Sequence, residues 1–228
     1  MFRLENVAMR YGRGAEVLHD VDLELDRGEL VLLSGPSGAG KTSLLRLLAL
    51  IQAPCRGRIS LLGRDPTAIG REERTALRRR IGMVFQDIRL LDHLSSFDNV
   101  ALPLRLHGGR DDQIAGFVSE MLAWFGLTEA MEAKPPTLSM GQRQLIAIAR
   151  AIVTRPDLLL CDDPISHIDH ERRRRLMNLL AKLRKLGTTV VIATHDEHLV
   201  DRYAHRILHM TRGRLKTPVP SPAMAAAE

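Results

Sequence analysis

Residues 35–42 read Gly35-Pro36-Ser37-Gly38-Ala39-Gly40-Lys41-Thr42, with Ser43 next. The spacing G-x-x-x-x-G-K-T is that of a phosphate-binding P-loop, a pattern that carries weight only between a strand and a helix. That context is present: an apolar run at 30–33 precedes it and an apolar stretch from 43 to about 51 follows. Glycines let the main chain wrap a phosphate closely, so the N–H groups of Gly38, Ala39, Gly40, Lys41 and Thr42 would face the anion. Lys41 would reach the β- and γ-phosphates, and the Thr42 hydroxyl would ligate Mg²⁺. A glycine-rich turn with a chance lysine does not account for the flanking elements. Kinases, GTPases and ATPases all stay open on this motif alone.

Such a loop needs a carboxylate at a strand end to hold the metal. The run Leu158-Leu159-Leu160-Cys161-Asp162-Asp163 supplies two. Its apolar residues read as a strand buried on both faces, with Asp162 at the tip, so a solvated acidic turn is the weaker reading. Adjacent carboxylates divide the labour: Asp162 on the metal, Asp163 on the attacking water. Cys161 reads as a small hydrophobe within that strand.

The elements that must position these groups follow from periodicity. Segments 4–9 and 17–25 alternate apolar and polar residues as half-buried strands do, and further strands are expected at 30–33, 58–62 and 82–86. A basic helix is expected at 72–80. From about 88 to 155 the pattern is helical with no convincing strand, with helices at 97–106, 113–125 and 140–154 and a break at Pro135-Pro136. Alternation then returns: strand 158–162, helix 171–186, strand 188–194, helix 197–204, strand 206–210. The tail 217–228, with three prolines and an alanine run, is expected to be disordered. Strands alternating with helices predict a parallel sheet covered on both faces, with the helical block inserted into it.

Composition narrows the class. The chain has 228 residues, 45% hydrophobic and 26% charged, as globular domains do. No stretch approaches the roughly 18 to 20 apolar residues of a membrane span, and the N-terminus has no secretory pattern. The expectation is a protein made in the cytosol that stays there. Two cysteines, Cys55 and Cys161, suit a reducing compartment and do not suggest zinc. A net charge of +6 admits nucleotide, nucleic acid or an anionic membrane surface. Only 4% of residues are aromatic, so the arginine runs at 78–80 and 172–175 read as solvated helix faces and no nucleic-acid partner is expected.

Leu138-Ser139-Met140-Gly141-Gln142, followed by Arg143-Gln144-Leu145-Ile146-Ala147-Ile148-Ala149-Arg150-Ala151, resembles the LSGGQ signature and following helix of ABC-type ATPases. Other family motifs follow in order over about residues 2–215. Tyr11 matches the aromatic that stacks on adenine, Gln86 the Q-loop glutamine, Ser166-His167-Ile168-Asp169 the D-loop, and His195 the switch histidine. The resemblance implies an α/β P-loop NTPase (RecA-like) parallel core, with an N-terminal antiparallel β-subdomain and an inserted α-helical subdomain at about 88–155. It implies one nucleotide-binding domain over 1–216, with ATP and Mg²⁺ as cofactors. Gln86 would join Thr42 and Asp162 at the metal, and His195 would bond the γ-phosphate and report its loss. Ser139, Gly141 and Gln142 would face the nucleotide of a second copy, making ATP the glue of a homodimer.

Within that family, Tyr11-Gly12-Arg13-Gly14 and Phe85-Gln86-Asp87-Ile88-Arg89-Leu90-Leu91-Asp92-His93-Leu94 resemble the FtsE cell-division ATPases. Members dimerise under a polytopic subunit, FtsX. The resemblance therefore implies a peripheral place on the cytoplasmic side of the inner membrane, and control of peptidoglycan hydrolases during division. Rival readings are the ATP-binding subunit of a lipoprotein or macrolide exporter and an ATP-gated scaffold that barely turns over. Three departures from the family pattern matter, and the first two motivate the last reading. Asp163 stands where a glutamate is usual, and its carboxylate retreats by about 1.5 Å. Misplacement near 1 Å can cost on the order of 100-fold in rate, so one reading is slow hydrolysis and the other is an aspartate that still works through a backbone shift. Met140 replaces a glycine, which would crowd the opposing nucleotide or strain the backbone. Leu145 replaces a common arginine, and Ile165 for threonine is a lesser change.

Overall fold

The computed structural model describes residues 2–166, 168–195 and 206–216. The helix expected at 197–204 and the tail at 217–228 lie outside the described residues.

The chain opens with β1 (Phe2–Arg10) and β2 (Glu16–Leu25), which with β4 (Arg56–Leu61) form a three-stranded antiparallel sheet in the order β2-β1-β4. Alternation does not hold throughout it. Val7, Ala8 and Met9 are buried in succession, the register shifts between Leu4 and Val7 and again beyond, and Asn6 sits at φ 48°. An extra residue in one strand re-aims its side chains, as a bulge does.

Between β2 and β4 run β3 (Leu30–Ser34), the P-loop and α1 (Lys41–Leu48). The helix is shorter than the apolar stretch that predicts it. Leu50 takes φ 58°, and the Ile51 N–H turns back to the Arg46 carbonyl, closing the C-terminus. After α2 (Arg71–Arg78), β5 (Ile81–Val84) ends two residues before Gln86, which lies in the following turn rather than in the strand as expected.

The inserted block contains α3 (Ser96–Leu106), α4 (Asp111–Trp124), a short 3₁₀ turn at Thr128–Ala130, another at Pro135–Thr137 where the two prolines interrupt the chain, and α5 (Met140–Ile152). Then come β6 (Leu158–Asp162), α6 (His170–Lys185), β7 (Thr189–Ala193), β8 (Arg206–Thr211) and β9 (Arg214–Lys216). The main sheet runs β5-β6-β7-β3-β8-β9, parallel except for the final β8–β9 hairpin.

Every residue of β6 and β7 is buried, because helices or the second sheet cover both faces. Leu32, Leu159, Cys161, Val190 and Ile192 face α5, α6 and the inserted helices. Their alternates Val31, Leu33, Leu158, Leu160 and Val191 face α1 and the antiparallel sheet. Each such side chain contributes about 1.5–3 kcal/mol by leaving water.

One buried polar residue ties the start of the inserted block to α3. Asn99, with no exposed surface, accepts from the Leu91 N–H at 2.8 Å. Its amide nitrogen donates to the carbonyls of Leu91, Leu94 and Ser95 at 3.1, 3.3 and 2.9 Å. The loop after Gln86 is thereby wrapped on the first turn of α3. Asn99→Ala should strand these backbone groups and lower stability by about 2–3 kcal/mol. Urea unfolding with hydrogen exchange at the Leu91 amide checks it; unaltered exchange there would mean that other contacts hold the loop.

Candidate functional site

In a parallel sheet the carboxyl ends of the strands share one rim, and ligands bind there. Here β3 delivers the P-loop, β6 delivers Asp162 and Asp163, β7 delivers Thr194 and His195, and Gln86 follows β5. These groups line one cavity of about 340 Å³, together with Ser37, Gly38, Ala39, Gly40, Lys41, Thr42 and Ser43 of the P-loop and Val17 of β2.

The P-loop is built for an anion. Gly40 caps α1 at φ 107° with no side chain satisfying the first-turn amides, which an α-helix leaves without intrahelical partners. Those amides and the positive end of the helix dipole suit phosphate. Lys41 Nζ donates to the carbonyls of Gly35 and Pro36 at 2.6 and 3.0 Å, which holds the ammonium over the loop. Gly35 is obligatory for packing as well as for its φ of 141°, since a Cβ there would lie 2.1 Å from the Met210 carbonyl.

Asp162 is 5% exposed, and burial pushes its carboxyl pKa up. A hydrogen bond from the Thr42 hydroxyl opposes the shift, the Asp163 charge adds to it, and Arg46 and Lys41 oppose it more weakly. Hydroxyl, carboxylate and the Gln86 amide are hard oxygen donors. Mg²⁺ is commonly held by one or two carboxylates plus substrate phosphates, so the set fits that ion. Among the described residues no group of three or more His, Cys, Asp or Glu forms a metal cage without a ligand's help. Cys161, beside Asp162, has its thiol pushed up to about 12 by burial and then by that charge, so it is chemically inert.

Asp163 is half-buried at φ 48°, its N–H donating to the Ala193 carbonyl at 2.9 Å. His195 Nδ1 lies 3.3 Å from Asp163 Oδ2. Aspartate tolerates the left-handed region better than most residues with a Cβ. Tyr11 stands just outside the cavity lining, its hydroxyl 3.0 Å from Ser43 Oγ.

Ser139, Gly141 and Gln142 are not among the residues that line the cavity of their own chain. Ser139 caps α5: its hydroxyl accepts from the Gln142 N–H at 3.2 Å, and its own N–H donates to Gln142 Oε1 at 2.9 Å. Met140 opens the helix with no positive φ and is 41% exposed, so of the two expectations the strained backbone is absent. Leu145 and Ile165 are 2% and 1% exposed in the apolar cluster behind the signature helix, where their side chains pack as core.

Two contributors escaped the sequence reading. Val17 reads only as a strand residue, and nothing local says that its strand faces the P-loop. Asn99 reads as one more polar residue in a helix; its burial depends on a loop eight residues upstream in the chain.

A nucleotide-gripping loop at the head of a parallel sheet, with paired carboxylates on a neighbouring strand, defines a P-loop NTPase. Comparison with known proteins takes this one level further. The ABC transporter family model matches residues 18–166. The chain belongs to that family, and it is an ATP-binding, ATP-hydrolysing member. It is 40% identical over 216 residues to the cell division ATP-binding protein FtsE of Mycobacterium tuberculosis, covering 94% of each. It is 37% identical over 219 residues to the methionine import ATP-binding protein MetN 1 of Bacillus thuringiensis subsp. konkukian, covering 94% of this chain and 65% of that longer one. A solved dimer of the ATP-binding cassette MJ0796 in a post-hydrolysis state with ADP and Pi superposes with a TM-score of 0.91 at 31% identity, covering 96% of this chain and 98% of that one.

The raised pKa of Asp162 means that the native state holds its proton more tightly than the unfolded chain. Stability therefore falls as pH rises from the unfolded to the folded pKa, and the full cost is present only above the folded pKa. Asp162→Asn should raise the Tm of the nucleotide-free protein by roughly 2–4 °C, the shift that about 1 kcal/mol produces at this size. The same change should abolish Mg²⁺-dependent ATP turnover. A thermal scan beside a phosphate-release assay checks both; an unchanged or lower Tm would mean that the Thr42 bond already offsets burial.

Proposed function

We propose that this chain is the ATP-binding subunit of an FtsEX-like complex, in which two copies close around two Mg-ATP and drive a polytopic membrane partner that governs cell division and peptidoglycan hydrolysis. The observation that carries the reading is the convergence of Lys41, Thr42, Gln86, Asp162, Asp163 and His195 on one cavity, with the Ser139 end of α5 left for another chain's nucleotide. FtsE relatives matched along nearly their whole length support it over longer importers.

In this reading the P-loop amides and Lys41 hold the β- and γ-phosphates, and Tyr11 stacks on adenine. Thr42, Asp162 and Gln86 hold Mg²⁺, which neutralises phosphate charge. Asp163 orients water in line with the γ-phosphate, and His195 bonds that phosphate while resting against Asp163. Ser139, Gly141 and Gln142 complete the site of the other copy. The functional unit is residues 1–216, with 88–155 as the lever arm toward the membrane and 217–228 as a tail.

A groove of about 580 Å³ supports the membrane partner. Its apolar floor includes Met83, Leu102 and Leu106, and Arg78, Arg79, Arg89 and Arg150 stand around it. Arg89 is held by Asp87 at 2.8 Å and lies 4.3 Å over the Phe85 ring. Two of the residues that carry the FtsE resemblance, Phe85 and Arg89, thus stand at this groove on either side of Gln86. No helix among the described residues is long and apolar enough to cross a membrane. An amphipathic, acidic cytoplasmic segment of that partner matches the groove. Leu106, 64% exposed, is the cheapest point to test. Leu106→Glu should leave the Tm and basal turnover within error but abolish co-purification with the FtsX-like subunit of the same organism; retained co-purification would place the docking surface elsewhere.

Asp163 sets the rate. Asp163→Asn should bind Mg-ATP normally, cut turnover by at least about 100-fold and accumulate as an ATP-bound dimer in sedimentation. Because the shorter carboxylate stands back from the water, Asp163→Glu should exceed wild type in single-turnover rate. Equal rates for the two would remove the slow-hydrolysis part of the proposal and leave the dimer intact.

A further inference from the structure

The β8–β9 hairpin does not line the nucleotide cavity, yet its tip is bonded to two of the cavity's walls. Arg212 and Gly213 join the strands, at φ 48° and 74°, the two-residue geometry that matches the twist of an antiparallel pair. The Gly213 N–H donates to the Ala39 carbonyl of the P-loop at 2.8 Å, and its carbonyl accepts from the His19 N–H of β2 at 2.8 Å. A Cβ on Gly213 would lie 2.1 Å from the Val17 carbonyl and 2.8 Å from the His19 ring. At the base of the hairpin, the Met210 carbonyl backs Gly35 and the Met210 side chain lies against Gly40. Beside the tip, Arg214 pairs with Asp20 of β2 at 2.8 Å. The hairpin is anchored in turn because β8 runs parallel to β3, the strand that feeds the P-loop.

We propose that Gly213 is a positioning residue for ATP: its peptide spans the P-loop at Ala39 and β2 at His19, and so sets the separation between the phosphate-binding amides and the Val17 wall. A loop that turns most of its N–H groups toward an anion keeps few to hold itself, here the Ala39 N–H on the Pro36 carbonyl at 3.2 Å, so its carbonyls serve as handles. Two of those carbonyls, on Gly35 and Pro36, are engaged by Lys41, an ammonium that bound phosphate competes for. The Ala39 carbonyl is held by Gly213, whose N–H no phosphate contests.

A glycine that serves only its turn would behave differently. Gly63 is the matched control, at φ 77° with no atom within 4 Å of where a Cβ would stand. Gly213→Ala, Gly213→Asn and Gly63→Ala in the full chain should be compared by Mg-ATP calorimetry, Tm and steady-state kinetics. Gly63→Ala should lower Tm alone. Both Gly213 variants should raise the ATP Kd and KM by about tenfold or more, with kcat at saturating ATP within roughly threefold. Asparagine tolerates the positive φ, so its failure to rescue assigns the effect to the contact. Gly213 variants that lose Tm like Gly63→Ala but keep ATP affinity within about twofold would overturn the proposal. If neither variant folds, hydrogen exchange on the wild-type protein decides. Mg-ATP should slow the Gly213 and His19 amides by about tenfold, and unchanged exchange at both refutes the clamp.

Discussion

Where β3 leaves the sheet, the chain must turn its amides toward a polyanion while its other side rests on something rigid. It rests on backbone. The Met210 carbonyl occupies the space that any side chain at position 35 would need, and the Ala39 carbonyl is tied to Gly213 across the hairpin. Interiors are packed too densely to yield by more than a few tenths of an ångström without cost. The position of the phosphate loop is therefore inherited from the strand order of the sheet, which seats β8 beside β3 and puts its hairpin under the loop.

The site is expensive for the fold. Asp162 is buried against its charge preference, and Asp163 is bent into the left-handed region beside it. Neither feature helps the nucleotide-free protein, and both suit a metal and a water that arrive with the nucleotide. Stability comes from elsewhere: two apolar layers, one on each face of the parallel strands, whose alternate side chains pack against α1 on one side and α5 and α6 on the other. That division lets the strand ends carry unfavourable groups without unfolding the sheet.

A short stretch of chain joins the cavity to the arginine-lined groove. Gln86 lies at the cavity, Arg89 at the arginine-rimmed groove, and Leu91 is held by Asn99 on α3. Few residues separate the cavity from the outer surface of the inserted helices.

Local chemistry made much of this legible in advance. A glycine-rich loop between a strand and a helix, and carboxylates behind a four-residue apolar run, are contiguous patterns, and contiguous patterns survive in sequence. The same holds for the proline break before α5. Element ends were less legible: α1 stops early because Leu50 adopts a left-handed turn, and Gln86 falls beyond β5. What only the tertiary structure decided are contacts between segments separated along the chain. Val17 joins the cavity, Asn99 is buried by a loop upstream of it, and Gly213 spans Ala39 and His19. The physical reason is that a hydrogen bond or a steric gap has no sequence signature when its two sides lie roughly ten to two hundred residues apart. By itself the sequence determined which groups could handle a nucleotide; the packing of strands in a fixed order decided where those groups stand.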